Sequence, residues 1–187
     1  MDFYNLPQRS YPVVLCDPPW YYHGSPTKMG AAGKEYKLLR PEEIQSFPMG
    51  DILDKPGALF LWATCPKLDV AIETLRAWGL HYRGVAFIWV KTKKDGTPLK
   101  AQGVRASTVK PVTEMVIVGS KVKNGRPLPL ANEKIVQTIL APKRKHSQKP
   151  DEIFHRLDAM YPGYDKLECF GRGKAQAGWD IWGDEAL

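Results

Sequence analysis

The 187-residue sequence lacks the features of a membrane or secreted protein. No apolar run reaches the ~18–20 residues that a membrane-spanning helix requires. The N-terminal residues hold no basic stretch followed by an apolar core, so we expect no signal peptide. Cysteine is scarce: Cys16, Cys65 and Cys169 are odd in number, and each lies in or beside an apolar run. This pattern predicts buried free thiols and a cytoplasmic location.

Several common catalytic signatures are absent as well. The four histidines (His23, His81, His146 and His155) have no metal-ligand spacing with the cysteines, so we predict no metal site. The sequence has no G-x-x-x-x-G-K-[ST] phosphate loop and no serine in a G-x-S-x-G turn. Metal-dependent, P-loop and serine-hydrolase chemistries therefore find little support.

Positive charge is concentrated in one segment of the chain. Residues 91–149 hold 14 Lys and Arg against 3 acidic residues, a net charge of +11. The remainder holds 13 basic and 17 acidic residues, a net charge of −4, which leaves the whole chain at +7. A solvated basic face is one interpretation, and a footprint for a phosphate backbone explains the segregation better.

Alternating strand and helix patterns predict an α/β fold. Helical spacing after Pro41, Pro66 and Pro150 predicts three helices, the second of them ending at Gly79. The predicted strands are Val13–Cys16, Gly57–Thr64, Tyr82–Lys91, Glu114–Lys121, Lys134–Leu140, and two late strands within Lys166–Gly173 and Trp179–Glu185. We expect a mainly parallel central sheet with helices on both faces, in a single domain over residues 1–187.

The stretch Asp17-Pro18-Pro19-Trp20 combines an acid, a rigid turn and an aromatic ring. It ends the first strand, where the Asp17 side chain should project into the ligand crevice of an open α/β sheet. Neither proline has an N–H, so an Asp17 oxygen and the Pro18 carbonyl form a rigid acceptor pair that suits an exocyclic amine. Trp20 adds a flat surface on which a purine can stack. The alternative is a tight turn with a surface tryptophan.

This stretch matches the catalytic motif of the adenine-N6 methyltransferases related to the catalytic subunit of the eukaryotic messenger-RNA methyltransferase. The chain resembles the small bacterial and phage branch of that family. GALFLWAT, WVKTKKDG, HSQKPDEIF, ECFGRG and GWDIWGDE follow in the family's order along nearly the whole chain. The resemblance implies a Rossmann-like methyltransferase sandwich, S-adenosyl-L-methionine as donor and the N6 amine of adenine as acceptor. Asp17, Pro18, Pro19 and Trp20 would be the catalytic residues.

The resemblance also implies residues that bind the methyl donor. ECFGRG is a strand entering a turn whose small residues let a cofactor approach the backbone, and Lys149 precedes a helix, a natural place for the donor's carboxylate. The two late acids would accept hydrogen bonds from ribose hydroxyls or the donor's adenine, although relatives usually carry Asn at position 184. The predicted donor-binding residues are Cys16, Asp17, Ser147, Lys149, Phe170, Gly171, Arg172, Asp184 and Glu185. For Arg172, Lys149 and the late acids, a solvated surface role is the alternative.

Two long stretches without a helix or strand pattern follow predicted strands, Tyr21–Lys37 and Thr92–Thr113. Loops of this length are usually lids or binding loops. The second departs from the relatives' T-R-x-N-T-E pattern: it reads VKPVTE, with Lys110 in place of Arg and Val112 in place of an amide. The target sequence therefore cannot be inherited from the family. The predicted target-binding residues are Tyr21, Tyr22, Lys91, Lys93, Lys94, Lys110 and Glu114.

Three functions are consistent with these residues. The first is methylation of the N6 amine of adenine in DNA, and the second takes RNA or a nucleotide instead. The third is a catalytically silent nucleic-acid-binding subunit, against which the intact Asp17–Trp20 motif argues. Because the chain leaves no room for a dedicated target-recognition domain, we expect selectivity to come from the two loops, a homodimer or a specificity partner.

Overall fold

A computed structural model describes residues 6–21, 38–100, 109–144 and 148–187. Within these ranges, strands β1 to β9 are Tyr11–Cys16, Leu53–Thr64, His81–Thr92, Thr113–Ser120, Thr138–Pro142, Lys166–Cys169, Arg172–Gly173, Asp180–Trp182 and Glu185–Ala186. Helices α1 to α3 are Pro41–Gln45, Leu68–Ala77 and Glu152–Met160. None of the helices in these ranges combines the length and apolarity needed to cross a bilayer.

Seven of the strands form one sheet in the order β5-β3-β4-β2-β1-β6-β8, and β7 pairs with β9 in a separate ribbon. All neighbours in the large sheet are parallel except β4, which runs antiparallel to both β2 and β3. The apolar runs explain the central positions of β1 and β2, because strands covered on both faces need apolar side chains on both. The predicted mainly parallel α/β sheet is confirmed.

Helices cover both faces of the large sheet. On one face, Ile44 of α1 and Leu75 of α2 are fully buried in one apolar cluster. On the other face, Ile153 and Leu157 of α3 are fully buried in a second cluster, together with Phe60 of β2. Because successive side chains of a strand point to opposite faces, each central strand contributes to both clusters. The predicted helices on both faces are confirmed.

Some element boundaries differ from the sequence prediction. The helix expected from Pro66 opens with a short 3-10 turn, Cys65–Lys67, and α2 ends before Gly79, whose φ of 73° takes the chain out of the helix. The strand expected at Lys134–Leu140 lies later, as β5, because the chain comes into register with β3 from Thr138 onward.

The cysteines are free, and two of the three are buried as expected. Cys16 and Cys169 are fully buried neighbours in register on β1 and β6. Cys65 differs because it is half-buried at the end of β2, where its Sγ lies 3.1 Å from the Thr113 hydroxyl.

Candidate active site

The carboxyl ends of β1, β2, β3 and β6 meet at one edge of the sheet, and β4 begins there because it runs the opposite way. Asp17 follows β1, and its backbone N–H donates to the Cys169 carbonyl oxygen at 3.2 Å, which holds the strand end beside β6. Glu114 is the second residue of β4 and lies in register with Trp89, near the end of β3. The topology thus brings together acids that are far apart in sequence.

Asp17, Lys149, Glu114 and Lys91 form a chain of alternating charges at this edge. The Lys149 ammonium donates to both carboxylate oxygens of Asp17, at 2.8 Å and 2.7 Å. The same Nζ lies 3.6 Å from Oε2 of Glu114, and the Lys91 Nζ lies 2.5 Å from Oε1 of Glu114. The four side chains are between 15% and 25% exposed. These charges are therefore screened less than ion pairs on an open surface.

Burial and charge act differently on the two acids of this chain. Burial raises the pKa of Asp17 above its usual value, although the attraction of Lys149 opposes the rise. Burial also pushes the pKa of Glu114 upward, but the attraction of Lys149 and Lys91 outweighs it and leaves that pKa lowered. Glu114 is therefore the more firmly ionised of the two carboxylates.

The two prolines fold the chain into a tight turn directly after Asp17. The Trp20 N–H donates to the Pro18 carbonyl oxygen at 2.8 Å, which closes a three-residue turn centred on Pro19. The Pro19 carbonyl oxygen accepts from the Leu39 N–H at 2.8 Å. Trp20 itself is 8% exposed and donates its indole N–H to the carbonyl oxygen of Trp62 at 3.2 Å. The turn that presents Asp17 is thus anchored in the core.

A cavity of about 400 Å³ lies next to Asp17, between the ends of β1 and β6 and the start of α3. Its lining includes Asp17, Trp62, Lys149, Phe154, Glu168 and Arg172. Two glycines let the chain close tightly around it: a Cβ on Gly171 would lie 2.6 Å from the Ile181 side chain, and one on Gly183 would lie 2.4 Å from the Gly171 carbonyl oxygen. Larger side chains at these positions would push the strand ends apart.

Glu168 places a carboxylate in the wall of this cavity. It lies on β6, in register between Leu15 of β1 and Ile181 of β8. Burial, followed by the negative charge of Asp17, raises the pKa of Glu168 to about 7. Within the described ranges no cation or hydrogen-bond donor contacts this carboxylate. It is a half-buried acceptor that a ligand could satisfy.

Comparison with known proteins identifies this arrangement. The family model of MT-A70 matches residues 11–185. The chain belongs to the MT-A70 family. This confirms the resemblance on which the sequence predictions rest, and the matched range includes the two-proline turn, the cavity and the four-charge chain.

Relatives of this MT-A70 chain come from bacteria and eukaryotes. It is 30% identical over 201 aligned residues to the Type II methyltransferase M.MunI of a Mycoplasma species, which covers 98% of this chain and 81% of the relative. It is 30% identical over 176 residues to the human N(6)-adenosine-methyltransferase catalytic subunit METTL3, covering 94% of this chain and 28% of the relative. An MT-A70-like N(6)-adenosine-methyltransferase of Arabidopsis thaliana is also 30% identical, and the alignment covers 94% of this chain and 24% of the relative. The chain thus spans about a quarter of these eukaryotic relatives.

Most of the predicted donor-binding residues gather in the MT-A70 cavity. Those that line it are Asp17, Lys149, Phe170, Gly171 and Arg172. Cys16 does not, because its thiol is buried in the cluster on the opposite face, where burial and a hydrogen bond with Cys169 raise its pKa well above the usual range. Asp184 is exposed on the turn after β8, away from the lining. Ser147 lies outside the described residues, and Glu185 begins β9.

The predicted target-binding residues divide into two groups. Lys93, Lys94 and Lys110 are exposed, as a contact with a nucleic acid requires. Lys91 and Glu114 are paired with each other inside the four-charge chain, with 22% and 15% of their side chains exposed, and their contact with the target stays a prediction. Tyr21 is half-buried, with its backbone N–H on the Leu39 carbonyl oxygen, and Tyr22 lies outside the described residues.

Trp20 also requires a correction. The sequence predicts a flat ring on which a purine can stack, but the ring packs into the core and its N–H is used by Trp62. A motif alone cannot distinguish an exposed ring from an anchoring ring. In this structure Trp20 anchors the turn in the core, and a stacking role for its ring stays a prediction.

Sequence reasoning missed Glu168 and the role of Trp62. Glu168 is an acid inside the otherwise apolar strand that leads into the Gly171 turn, and that placement was the available signal. Trp62 lies among apolar residues of β2, where nothing in the sequence separates a core ring from one beside a lysine. Its ring centroid lies 5.4 Å from the Lys149 ammonium.

Proposed function

We propose that this protein transfers a methyl group from S-adenosyl-L-methionine to the N6 amine of adenine in nucleic acid, with DNA as the polymer. The observation that carries the proposal is the position of Asp17, on a rigid two-proline turn at a cavity of about 400 Å³, in a chain of the MT-A70 family. This arrangement offers an acceptor for an amine beside a site for a small-molecule donor.

The cavity suits the donor in size, backbone access and charge. Small-molecule sites commonly enclose ~300–1,000 Å³. Gly171 has no side chain, so the donor can approach its backbone. The Glu168 carboxylate, which has no partner among the described residues, suits the donor's ammonium group. Arg172 and Lys174 also line the cavity and supply positive charge for the donor's carboxylate, and the Lys149 ammonium lies on Asp17. When bound, S-adenosyl-L-methionine supplies an activated methyl group.

The protein's own residues then have to present the amine. Asp17 and the Pro18 carbonyl would accept its two N–H groups, because the Pro18 oxygen keeps a second lone pair beside the one that takes the Trp20 N–H. As positive charge develops on N6, these acceptors bind it more tightly than in the ground state. Alignment of the amine with the methyl carbon contributes ~7–11 kcal/mol. The adenine must leave its stack to reach them.

The basic segment offers a surface for the nucleic-acid backbone beside the site. A turn follows β3, in which the Lys93 N–H donates to the Thr97 carbonyl oxygen at 2.8 Å and Asp95 accepts from the Thr97 N–H and hydroxyl. Lys93 and Lys94 are exposed on this turn, and Lys100 is exposed just after it. The turn leaves the same edge of the sheet as Asp17, which supports phosphate binding next to the methyl-acceptor site.

We propose DNA because the chain matches a compact bacterial relative over most of its length, 81% of the Mycoplasma Type II methyltransferase against 28% of METTL3. RNA is the second candidate, since the eukaryotic relatives are named for adenosine. A single domain over residues 1–187, a cytoplasmic location, and a homodimer or specificity partner remain predictions of the sequence.

One assay tests the function and its polymer together. Methyl transfer from labelled S-adenosyl-L-methionine is measured on duplex DNA, single-stranded DNA and RNA, and the products are digested and identified by nucleoside mass spectrometry. We expect N6-methyldeoxyadenosine. Label in RNA alone would select the second candidate. Absence of label from all three polymers, with the donor bound, would favour the silent binding subunit.

A further inference from the structure

One face of the large sheet carries apolar side chains that the core does not use. Its members are Met115 of β4, Ile88 and Val90 of β3, and Leu140 of β5, which we call the open face. Ile88 is in register with Met115, and Val90 is in register with Leu140. Leu140 is 67% exposed, and the other three are half-buried. Among the described residues, neither core cluster includes these side chains or packs against them.

The side chains between these residues point to the opposite face of the sheet. Trp89 and its partner in register, Ile139, are both buried in the cluster that α3 covers. Because side chains alternate along a strand, Val90 and Leu140 must point the other way. Contiguous apolar surface of this kind marks a binding site where polar residues surround it.

Exposed lysines lie where the open face reaches the edge of the active site. β3 continues into the turn that carries Lys93 and Lys94, and Lys143 directly follows β5. The Lys143 N–H donates to the Thr92 carbonyl oxygen at 3.1 Å, which keeps the two strand ends side by side. All three lysines are exposed. The open face therefore combines apolar contact along the strands with positive charge at one end.

Single-stranded nucleic acid matches both features. An unpaired strand exposes the faces of its bases as well as its phosphates, whereas a duplex hides the base faces in its stack. Covering a base with the open face removes apolar surface from water, and the lysines attract the phosphates. A second copy of this chain matches less well. Three short strand segments give a face of roughly 200 Å², whereas each partner of a standard interface buries about 800 Å².

We propose that the open face binds unpaired bases of a single-stranded nucleic acid whose phosphates lie on Lys93, Lys94 and Lys143. The bound strand meets the sheet edge that carries Asp17, so an adenine beyond the lysines reaches the active site without leaving a duplex stack. The inference rests on the proposed action on nucleic acid and deepens it, because it names the single strand as the form of the substrate.

The test makes the open face polar without changing its charge. Leu140→Gln should lower the affinity for a short single-stranded oligothymidine at least fivefold, because the bases lose an apolar contact. The affinity for the same strand annealed to oligodeoxyadenosine should stay within twofold, since the duplex offers its phosphates alone. Leu187→Gln is the matched control, because Leu187 is 89% exposed and lies outside the open face. That variant should keep both affinities.

The salt dependence separates contacts with bases from contacts with phosphates. In fluorescence anisotropy over a salt series, Leu140→Gln should keep the wild-type slope of log affinity against log salt, because every phosphate contact is retained. Lys143→Gln should lower the affinity for both forms and reduce the slope on single strands by ~0.7. Val90→Thr replaces one methyl group with a hydroxyl and should weaken single-strand binding at least twofold, again without a change of slope.

The outcomes are distinct. If Leu140→Gln binds the single strand as tightly as the wild type, or loses affinity for single strand and duplex equally, the inference is overturned. Light scattering at the same concentrations tests the second copy: a wild-type dimer that Leu140→Gln makes monomeric would also overturn the inference. If the expected binding pattern is found and no adenine polymer is methylated, the proposed function alone fails.

Discussion

Two opposing influences meet at Asp17: burial favours the protonated acid, and Lys149 favours the carboxylate. The carboxylate is a stronger acceptor for an amine N–H than the protonated acid is. The attraction of Lys149 therefore favours the form of Asp17 that suits the proposed reaction.

Asp17→Ala should lower the single-turnover rate of methyl transfer at least 100-fold, because it removes an acceptor aimed at the charge that develops on N6. Affinity for S-adenosyl-L-methionine should stay within a few-fold, since the residues suited to the donor's charged groups are unchanged. Labelled-donor turnover and calorimetry measure the two quantities. A folded variant that has lost donor binding would show that Asp17 serves the donor and not the amine.

Glu168 gives a pH dependence whose sign follows from its raised pKa. The pKa is about 7 in the folded protein against the usual 4.5, so the folded state binds more protons between these values and loses stability as pH rises through them. Below pH 4.5 the acid is protonated in both states and does not change the free energy of unfolding. Above pH 7 it is ionised in both states, and the free energy of unfolding is lowered by the full amount. A shift of this size corresponds to about 3 kcal/mol as an upper value.

Glu168→Gln should therefore be more stable than the wild-type protein at pH 8 and gain little at pH 5. Denaturant unfolding at both pH values, without donor, measures the difference. A stability gain that does not change with pH would mean that Glu168 is ionised normally in the folded protein. Donor affinity of the same variant should fall, because the cavity loses the carboxylate proposed for the donor's ammonium.

At the level of elements, the reversed strand β4 determines which side chains face each other. A wholly parallel sheet would place a carboxyl end of β4 at this edge, and Glu114, near the amino end, would lie at the far side. Because β4 runs the other way, its beginning lies between the carboxyl ends of β2 and β3, at the same edge as the end of β1. The four-charge chain exists because of this single reversal.

The close approach of two turns makes Gly183 sensitive to substitution. In Gly183→Ala the new Cβ would lie 2.4 Å from the Gly171 carbonyl oxygen, so the turns after β6 and β8 must separate. We expect a loss of about 1–3 kcal/mol in the free energy of unfolding and at least tenfold weaker donor binding. Gly96→Ala is the comparison, since its φ of 84° opposes alanine in open space and Gly96 does not line the cavity. That variant should lose stability and keep its donor affinity.

Periodicity and turn residues predicted the strands, the helices and the parallel sheet well, because buried runs and proline or glycine boundaries are local signals. One motif predicted that Asp17 lies at the ligand crevice, and Asp17 does line the cavity, while its catalytic role stays a prediction. The ion pairs between different strands were not predicted, because the partner of a charged side chain depends on strand order and direction. Lys149, Lys91 and Glu114 were each assigned to a ligand, whereas their first partners are one another and Asp17.

For the whole molecule, the separation of charge predicts how nucleic acid binds. Lys93→Ala with Lys94→Ala should weaken binding of all sequences alike and reduce the slope of log affinity against log salt by ~0.7–0.9 for each phosphate that is no longer neutralised. The matched control replaces Lys55 and Arg76, two exposed cations outside residues 91–149. Fluorescence anisotropy over a salt series measures both pairs. Equal effects would indicate attraction by net charge, and a change confined to the first pair would locate the phosphate-binding surface at the turn.

The pairing of β1 with β6 joins residues 13–16 to residues 166–169. On the ribosome, about 150 further residues must therefore be synthesised after β1, which ends at Cys16, before β6 can pair with it. At ~5–20 residues per second this delay lasts roughly 8–30 seconds. During that time one edge of the apolar strand β1 has no partner. An unpaired strand edge can pair with another chain and cause aggregation. The cavity that we propose for the donor also forms late in synthesis, because β6 supplies one of its walls.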